Sequence, residues 1–320
     1  MTYAVGSLIQ STDYNTLVGG NPTTTSGTLN AVWATGGGTA GYGQTALANV
    51  SVGQTVGASE WANLVNRTSN AASHQGTSIT SVTAPVAGGS IQYVAAIVTN
   101  LSTIYTSRLN AAAQGTTTSN TVTYGSTWQN GLTFTHTATF ANGDAARYFF
   151  NAGGQLAMTV SHPSGTNMNL LFNNLCSNVG TVVISSPSSG SITVAGTSYN
   201  GVTKIGGGGN SPSLDANKGY YGLTTANSTI FTQLASTGPS GYLSTFIRFI
   251  ALTNGPQGSN SDNGSVVTIY TVWDEVPDGG SALSTVGTGS ETTLTVRPPS
   301  TTNIANTWGT ITLAGSVTGS

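Results

Sequence analysis

The sequence predicts an α+β fold, with a small N-terminal helical region followed by a mainly antiparallel β-sandwich or jelly-roll-like domain. Three observations predict it. Apolar residues recur every three to four positions up to about residue 110, and every two positions from about residue 116. Asn-Gly pairs punctuate the second part at Asn130, Asn142, Asn200, Asn254 and Asn263, and this dipeptide is the strongest short-range hairpin signal. The composition is turn-rich and charge-poor: Gly occurs 43 times and Thr more often still, while charged residues make up 5% of the 320, against about 25% in ordinary globular chains. The change of period divides the chain into a helical docking or oligomerisation region, residues 1–115, and an antiparallel β-sandwich domain, residues 116–320.

Within the helical region, residues 13–18 and 29–33 read as short helices broken by Gly19-Gly20 and Gly36-Gly37-Gly38, docked on two longer helices. The first longer helix carries Trp61, Leu64, Val65 and Thr68 on one face, with Ser59 as N-cap and Glu60 in the first turn. His74 falls at its end, where a cation would favour the helix dipole. The clearest helix covers residues 89–110, where Val94, Ile97, Val98, Leu101, Ile104, Tyr105 and Arg108 trace one stripe. That stripe is either the core seam of the helical region or a dimeric or trimeric seam between subunits. Three turns are fewer than the sustained heptads that would decide.

In the second part, residues 132–140 (LTFTHTATF) alternate as a half-buried antiparallel strand does. Further strands are predicted over 155–161, 181–185, 191–195, 229–234, 243–252, 266–273, 292–297 and 310–314. Met168, Leu171, Phe172 and Leu175 space as one face of a helix set among them. Many short strands with turn signals favour a sandwich or jelly roll over a βαβ fold, and no repeat of fixed period is present.

Charge and motif content narrow the function. With 7 Lys+Arg, 9 Asp+Glu and a net charge of -2, no basic surface is available for phosphates, which argues against nucleic-acid binding and polybasic membrane anchoring. No apolar run reaches the roughly 18 residues of a membrane span; residues 246–252 are short and contain Arg248. The opening MTYAVGSLIQ has neither the basic start nor the apolar core of a signal peptide, so synthesis in a cytoplasm is expected. Cys176 is the single cysteine, so neither an internal disulfide nor a cysteine-based zinc site is expected. His74, His136 and His162 share no metal-ligand spacing and read as structural. Asp274, Glu275 and Asp278 cluster after an apolar run, where a calcium site or an acid–base pair is conceivable, but Pro277 and Asp278-Gly279 mark a polar turn. The loop around Asp262 lacks the EF-hand pattern. Gly206-Gly207-Gly208-Gly209 lacks the Lys-Ser/Thr of a phosphate loop and reads as a turn. No nucleophile elbow occurs. Accordingly, no catalytic, metal or cofactor-binding residue is assigned, and no cofactor is expected. Low net charge with few charges gives weak colloidal repulsion, which suits a chain that works assembled.

Specific strings go beyond composition. Residues 1–19 (MTYAVGSLIQSTDYNTLVG), 41–45 (GYGQT), 55–76 (TVGASEWANLVNRTSNAASHQG), 140–156 (FANGDAARYFFNAGGQL) and 304–313 (IANTWGTITL) resemble virion structural proteins of tailed bacteriophages, including phages of cyanobacteria. In the fourth string, Arg147 is expected to pair with Asp144 across one turn, Tyr148, Phe149 and Phe150 to supply buried area, and Asn151 with Gly153-Gly154 to turn the chain into the next strand, making an architectural corner. The resemblance implies a non-enzymatic virion component of tail, neck or fibre-appendage type, located in the particle and working as a homo-oligomer, such as a trimer, with other virion proteins as partners. The alternatives are a capsid decoration protein, or an adhesin module for host-surface glycans with Tyr220, Tyr221, Tyr242, Trp128 and Trp308 as ring platforms. A depolymerase would need two carboxylates facing each other at about 5 to 10 Å, and the acids are scattered.

Overall fold

The computed structural model of the protein describes residues 10–23, 25–87, 94–209, 212–257, 262–279 and 282–319. The chain is α+β, with four N-terminal helices preceding a two-layer antiparallel β-sandwich. The helices are α1 (Ser11–Val18), α2 (Leu29–Trp33), α3 (Ala58–Gln75) and α4 (Val94–Thr106). The α3 helix starts two residues earlier than Ser59 predicts: Gly57 is the N-cap, and the Ser59 hydroxyl donates to Glu60 Oε2 at 3.0 Å. Its C-terminus closes on Gly76, whose φ of 68° is the left-handed conformation that glycine adopts without cost. Of the predicted helix at 89–110, residues 89–93 lie outside the described residues and the helical part is α4.

The stripe on α4 is consumed within the chain. Ile97, Leu101 and Ile104 are fully buried, against α3 and α2, and only Val98 is substantially exposed. Asn100 extends the packing by clamping the extended segment beside α3, donating to Thr80 O at 2.8 Å and accepting from Thr80 N–H at 2.9 Å. The intra-chain reading of the stripe is therefore the one that holds.

Thirteen strands follow among the described residues. One sheet runs β1 (Thr118–Tyr124), β12 (Ser290–Arg297), β3 (Gln155–Ser161), β4 (Thr181–Ile184), β7 (Val202–Ile205). The other runs β13 (Thr312–Gly319), β2 (Gly131–Thr139), β11 (Val266–Asp274), β10 (Phe246–Thr253), β9 (Ser228–Leu234), β8 (Ser213–Leu214). A separate hairpin, β5 (Ile192–Val194) and β6 (Thr197–Tyr199), lies on the first sheet. Helix α5 (Gly143–Asn151) leads into β3, and α6 (Met168–Val179) packs between β3 and the β9–β10 pair. Phe172 of α6 stacks on Trp273 of β11 at 5.7 Å and meets Trp128 at 4.8 Å, so the apolar face foreseen at Met168, Leu171, Phe172 and Leu175 is buried as a unit.

The Asn-Gly pairs do not mark tight hairpins. Asn130, at φ 67°, opens β2, which pairs with strands distant in sequence. Asn142 is instead the N-cap of α5, its Oδ1 accepting from Ala145 N–H at 2.8 Å. Asn200 separates strands that pair elsewhere, and Asn254 and Asn263 both lie in the one long β10–β11 loop. The tightest hairpin, β5–β6, turns on Ala195 and Gly196, at φ 49° and 77°. Positive φ at both central residues is the type I′ requirement. Strands β1, β6, β7 and β8 and helix α5 carry no clear alternation or length in sequence, and none was expected as such.

Candidate functional site

The densest polar constellation sits where the helical region meets the β region, on the segment from Gly36 to Thr45. Three of the seven basic residues donate to it from three separate parts of the chain. Arg67 of α3 donates to Thr45 O at 2.5 Å. Arg108, just after α4, donates to Thr39 O at 2.9 Å and Thr39 Oγ1 at 2.7 Å. Arg147 of α5 donates to Gly36 O at 2.5 Å and Gly38 O at 3.3 Å, while its Nε and Nη2 bind Asp144 Oδ1 at 3.2 and 3.1 Å. A guanidinium suits such a place because its five donors are fixed in a plane that reaches several acceptors at once.

Arg147 is fully buried, and a buried charge is tolerated only when paired and hydrogen-bonded. The pairing with Asp144 at i,i+3 is as the sequence predicts, and it forms because both lie on the nine-residue helix α5. Phe149 and Phe150 are buried as expected, Phe150 stacking on Tyr220 at 4.2 Å. Asn151 behaves differently from expectation. It ends α5, leaves the turn to Gly153 (φ 90°), and sends its amide to Gly38 O, Ala40 O and Gly41 O at 3.1, 3.2 and 3.1 Å. The Tyr221 hydroxyl shares its proton between Gly38 O at 2.6 Å and Asn151 Oδ1 at 2.7 Å.

Tyr42 is the centre of the joint. Its hydroxyl donates to Arg108 O at 2.6 Å and accepts from Gln75 Nε2 at 2.8 Å, and its ring meets His74 edge-on at 5.2 Å. The neighbouring Gln44 amide exchanges two bonds with Ala305, at 2.8 and 3.0 Å, and Thr307 donates to Tyr42 O at 2.5 Å. The glycines permit this convergence. Gly43 has φ 70°, and a Cβ there would overlap the Tyr148 ring. The strings at 41–45, 55–76, 140–156 and 304–313, far apart in sequence, thus meet at one place; residues 1–9 of the opening string lie outside the described residues. In sequence Gly36-Gly37-Gly38 reads as a helix break, and Gly41 and Gly43 stand in the string 41–45 with no structural role assigned. The available signal was the recurrence of glycine at 41 and 43, beyond what the break at 36–38 requires.

Burial sets the titration of this joint. It pushes the Tyr42 and Tyr221 phenols well above their ordinary value. It also pushes the His74 imidazole down to about 4, against the smaller opposing effect of its hydrogen bond to Ala152 O at 3.0 Å. His74 is therefore a neutral buried donor and not a cation at a helix end: its ring lies in the core, and desolvation outweighs the dipole. His136 is also pushed down to about 4 by burial between the sheets, with Nε2 2.7 Å from Thr292 Oγ1. His162 is lowered too, wedged between Ser290 Oγ and Asn169 Oδ1.

The three clustered acids separate in space. Asp274 lies half-buried on the outer face of its sheet, and Glu275 is buried, accepting from Ser284 N–H at 2.5 Å. Asp278 accepts from Ser244 N–H at 3.1 Å. Burial raises the Glu275 carboxyl above the usual carboxylate range. Among the described residues no group of three or more His, Cys, Asp or Glu could hold a metal ion. Gly206–Gly209 form a turn after β7, with Lys204 donating to Gly208 O at 2.6 Å, and residues 259–261 of the Asp262 loop lie outside the described residues.

The proposed sugar platforms are not available. Tyr220, Tyr242, Trp128 and Trp308 are buried, and Tyr221 spends its hydroxyl on the joint. Aromatic rings in a chain this poor in charge are taken up by its cores, where they contribute most. Three surface recesses of about 210, 250 and 270 Å3 fall below the roughly 300 Å3 at which small-molecule pockets begin. Their linings hold no histidine and one carboxylate, Asp274. No described helix is long and apolar enough to cross a membrane. No family model, curated protein or solved structure matches this chain.

Proposed function

We propose that the protein is a non-enzymatic structural component of a tailed-phage virion, of tail, neck or fibre-appendage type, working as a homo-oligomer alongside other virion proteins. The observation that carries this reading is the joint at Tyr42. The strings through which the sequence resembles phage virion proteins are those whose side chains lock the helical and β regions together. Three of the chain's few cations are spent inside it. Polar groups are thus invested in rigidity, as a load-transmitting part requires.

Decoration of the capsid surface is the second reading. It is favoured by the way the helical region folds back onto the β-sandwich through one shared core instead of standing away from it as an arm. The glycan-adhesin variant loses its proposed rings to the core.

The test is mass spectrometry and immunogold labelling of density-banded tailed-phage particles from a lysate encoding this sequence. Particle-bound chain in a fixed copy number, with label on the tail, neck or fibres, is expected; label spread over the capsid selects decoration. Chain found in the soluble fraction and absent from banded particles overturns both readings.

A further inference from the structure

The Asn-Gly pairs carry a chemistry of their own. The glycine nitrogen of such a pair can attack the carboxamide carbon of the asparagine before it, because glycine has no Cβ to obstruct the approach. Water or hydroxide takes the proton from the glycine N–H, the nitrogen electron pair bonds to Cγ, and Nδ2 takes up a proton and leaves as ammonia. The cyclic succinimide is then opened by water at either carbonyl. The products are Asp and its isoaspartyl isomer, in which the backbone runs through Cβ and Cγ. Water is the only co-reactant. The fold governs the step through two groups: the carboxamide must be free to swing, and the glycine N–H must be free of an acceptor. A hydrogen bond of ordinary strength on either group has to break first, which slows the step by about 5- to 10-fold.

Four of the five pairs have one of these groups engaged. Gly131, after Asn130, donates its N–H to Gln129 O at 2.8 Å, and Gly264, after Asn263, donates to Pro256 O at 3.1 Å. Asn142, the cap of α5, has its Oδ1 held by Ala145 N–H at 2.8 Å. Asn254 is held twice: its Oδ1 accepts from Val266 N–H at 2.8 Å, and its Nδ2 donates to Ser265 Oγ at 3.4 Å. Asn200, in the connection between β6 and β7, differs. It is exposed, and among the described residues neither its carboxamide nor the Gly201 N–H has a hydrogen-bond partner. Only its backbone is anchored, the N–H donating to Thr203 Oγ1 at 2.9 Å and the carbonyl accepting from Ser185 Oγ at 2.6 Å.

We infer that Asn200 is a site of spontaneous deamidation in the folded chain, and that its isoaspartyl product weakens the joint. The link to the joint runs through Ser185 and Ser186. Ser185 donates its N–H to Gly201 O at 2.8 Å, and its carbonyl accepts from Tyr220 N–H at 2.8 Å; Ser186 O accepts from Tyr221 N–H at 3.1 Å. Tyr220 in turn stacks on Phe150, and the Tyr221 hydroxyl binds Gly38 O and Asn151 Oδ1. Gly201 itself is packed so tightly that a Cβ there would overlap Pro187 O, Gly219 N and Ala216 O. An isoaspartyl linkage adds one carbon to the backbone immediately before this residue, where close packing leaves no slack to absorb it. An ordinary Asp at the same exposed position adds only a charge facing water.

The test is a time course of the full chain at mildly alkaline pH, once folded and once in concentrated urea, read by peptide mapping with mass spectrometry and by isoaspartyl methyltransferase labelling. In the folded chain Asn200 should convert at least about 5-fold faster than each of the other four asparagines. In urea the five rates should converge, because each pair then reacts only as an Asn-Gly sequence. Asn200→Gln, whose longer side chain cyclises far more slowly, should remove the fast phase. Another pair converting as fast in the folded chain, an Asn200 that stays intact there, or a preference for Asn200 that persists in urea each overturns the assignment to this site. The consequence is read separately, on aged chain resolved by ion exchange. The isoaspartyl form should have a lower urea midpoint than wild type, while Asn200→Asp keeps the wild-type midpoint. An isoaspartyl form with the wild-type midpoint overturns the link to the joint.

Discussion

Arg147 is the side chain on which the joint depends, because it is a full charge with no exposure, held by two carbonyls and one carboxylate. Replacing it with Met removes the donors and leaves Asp144 beside an apolar stem. Breaking a buried charge pair from one side costs about 3–5 kcal/mol, so Arg147→Met should lower the urea midpoint followed by tryptophan fluorescence by that equivalent. Arg147→Lys should recover part of the loss, since an ammonium is a point donor without the fork. The histidines give a second prediction at this scale. In the folded chain His74 and His136 are depressed to about 4, whereas an unfolded histidine titrates near 6.5. Below about pH 6.5 the unfolded chain takes up protons that the native chain refuses, so stability is full above that pH and falls as pH drops toward 4. Each residue contributes on the order of 2–3 kcal/mol across that window. Urea titrations between pH 7 and pH 4.5 should show this slope, and His74→Gln should remove about half of it; a flat profile would show that these rings are not buried neutral.

At the scale of elements, the β5–β6 hairpin turns on a residue poorly suited to its conformation. Ala195 sits at φ 49°, where Asn is several-fold favoured over Ala, and Asn-Gly is the preferred pair for a type I′ turn. Ala195→Asn should therefore stabilise the chain by about 0.5 kcal/mol, read as a raised urea midpoint, while Ala195→Val should lower it. This turn also shows where sequence was legible and where it was not. Alternation over residues 132–140 located β2 to within a residue at each end, because a strand with one buried face writes a period of two. The Met168–Leu175 spacing located α6 for the same reason at a period near 3.6. Helix α5 was hidden by its length and not by its pattern: Asp144, Arg147 and Asn151 recur at i, i+3 and i+7, but nine residues carry too few turns to stand out, and Arg147 and Asn151 of that polar face are themselves buried. The Asn-Gly pairs misled because Asn accepts from backbone N–H groups at a helix start as readily as it turns a hairpin. Asn142 uses the first option.

For the whole molecule, the joint was invisible in sequence because its parts lie up to 265 positions apart, as in the bond from Thr307 to Tyr42. Carbonyl acceptors, moreover, belong to every residue. What sequence supplied was the set of strings; only the fold brings them together. This bears on whether the helical and β regions separate. One buried apolar cluster runs from Tyr14, Leu29 and Trp61 through Ile104 to Phe149, Trp308 and the sandwich interior. Removing residues 1–110 would therefore not release a finished domain. It would strip Tyr42 and His74 from above Ala152, and leave Arg147, Asn151 and Tyr221 facing water across an uncovered apolar floor. With total stability of the order of 5–15 kcal/mol for a domain, the loss of that packing and of three guanidinium-to-carbonyl anchors is comparable to everything that holds the sandwich folded. The full chain should thus unfold in one transition, with near- and far-ultraviolet circular dichroism coincident. The fragment 111–320 should aggregate or lose its near-ultraviolet signal. A soluble fragment with native tertiary signal, or two separated transitions in the full chain, would mean instead that the joint docks two independently stable bodies. The helical region could then act as a detachable arm, which is the arrangement a fibre needs and a decoration protein does not.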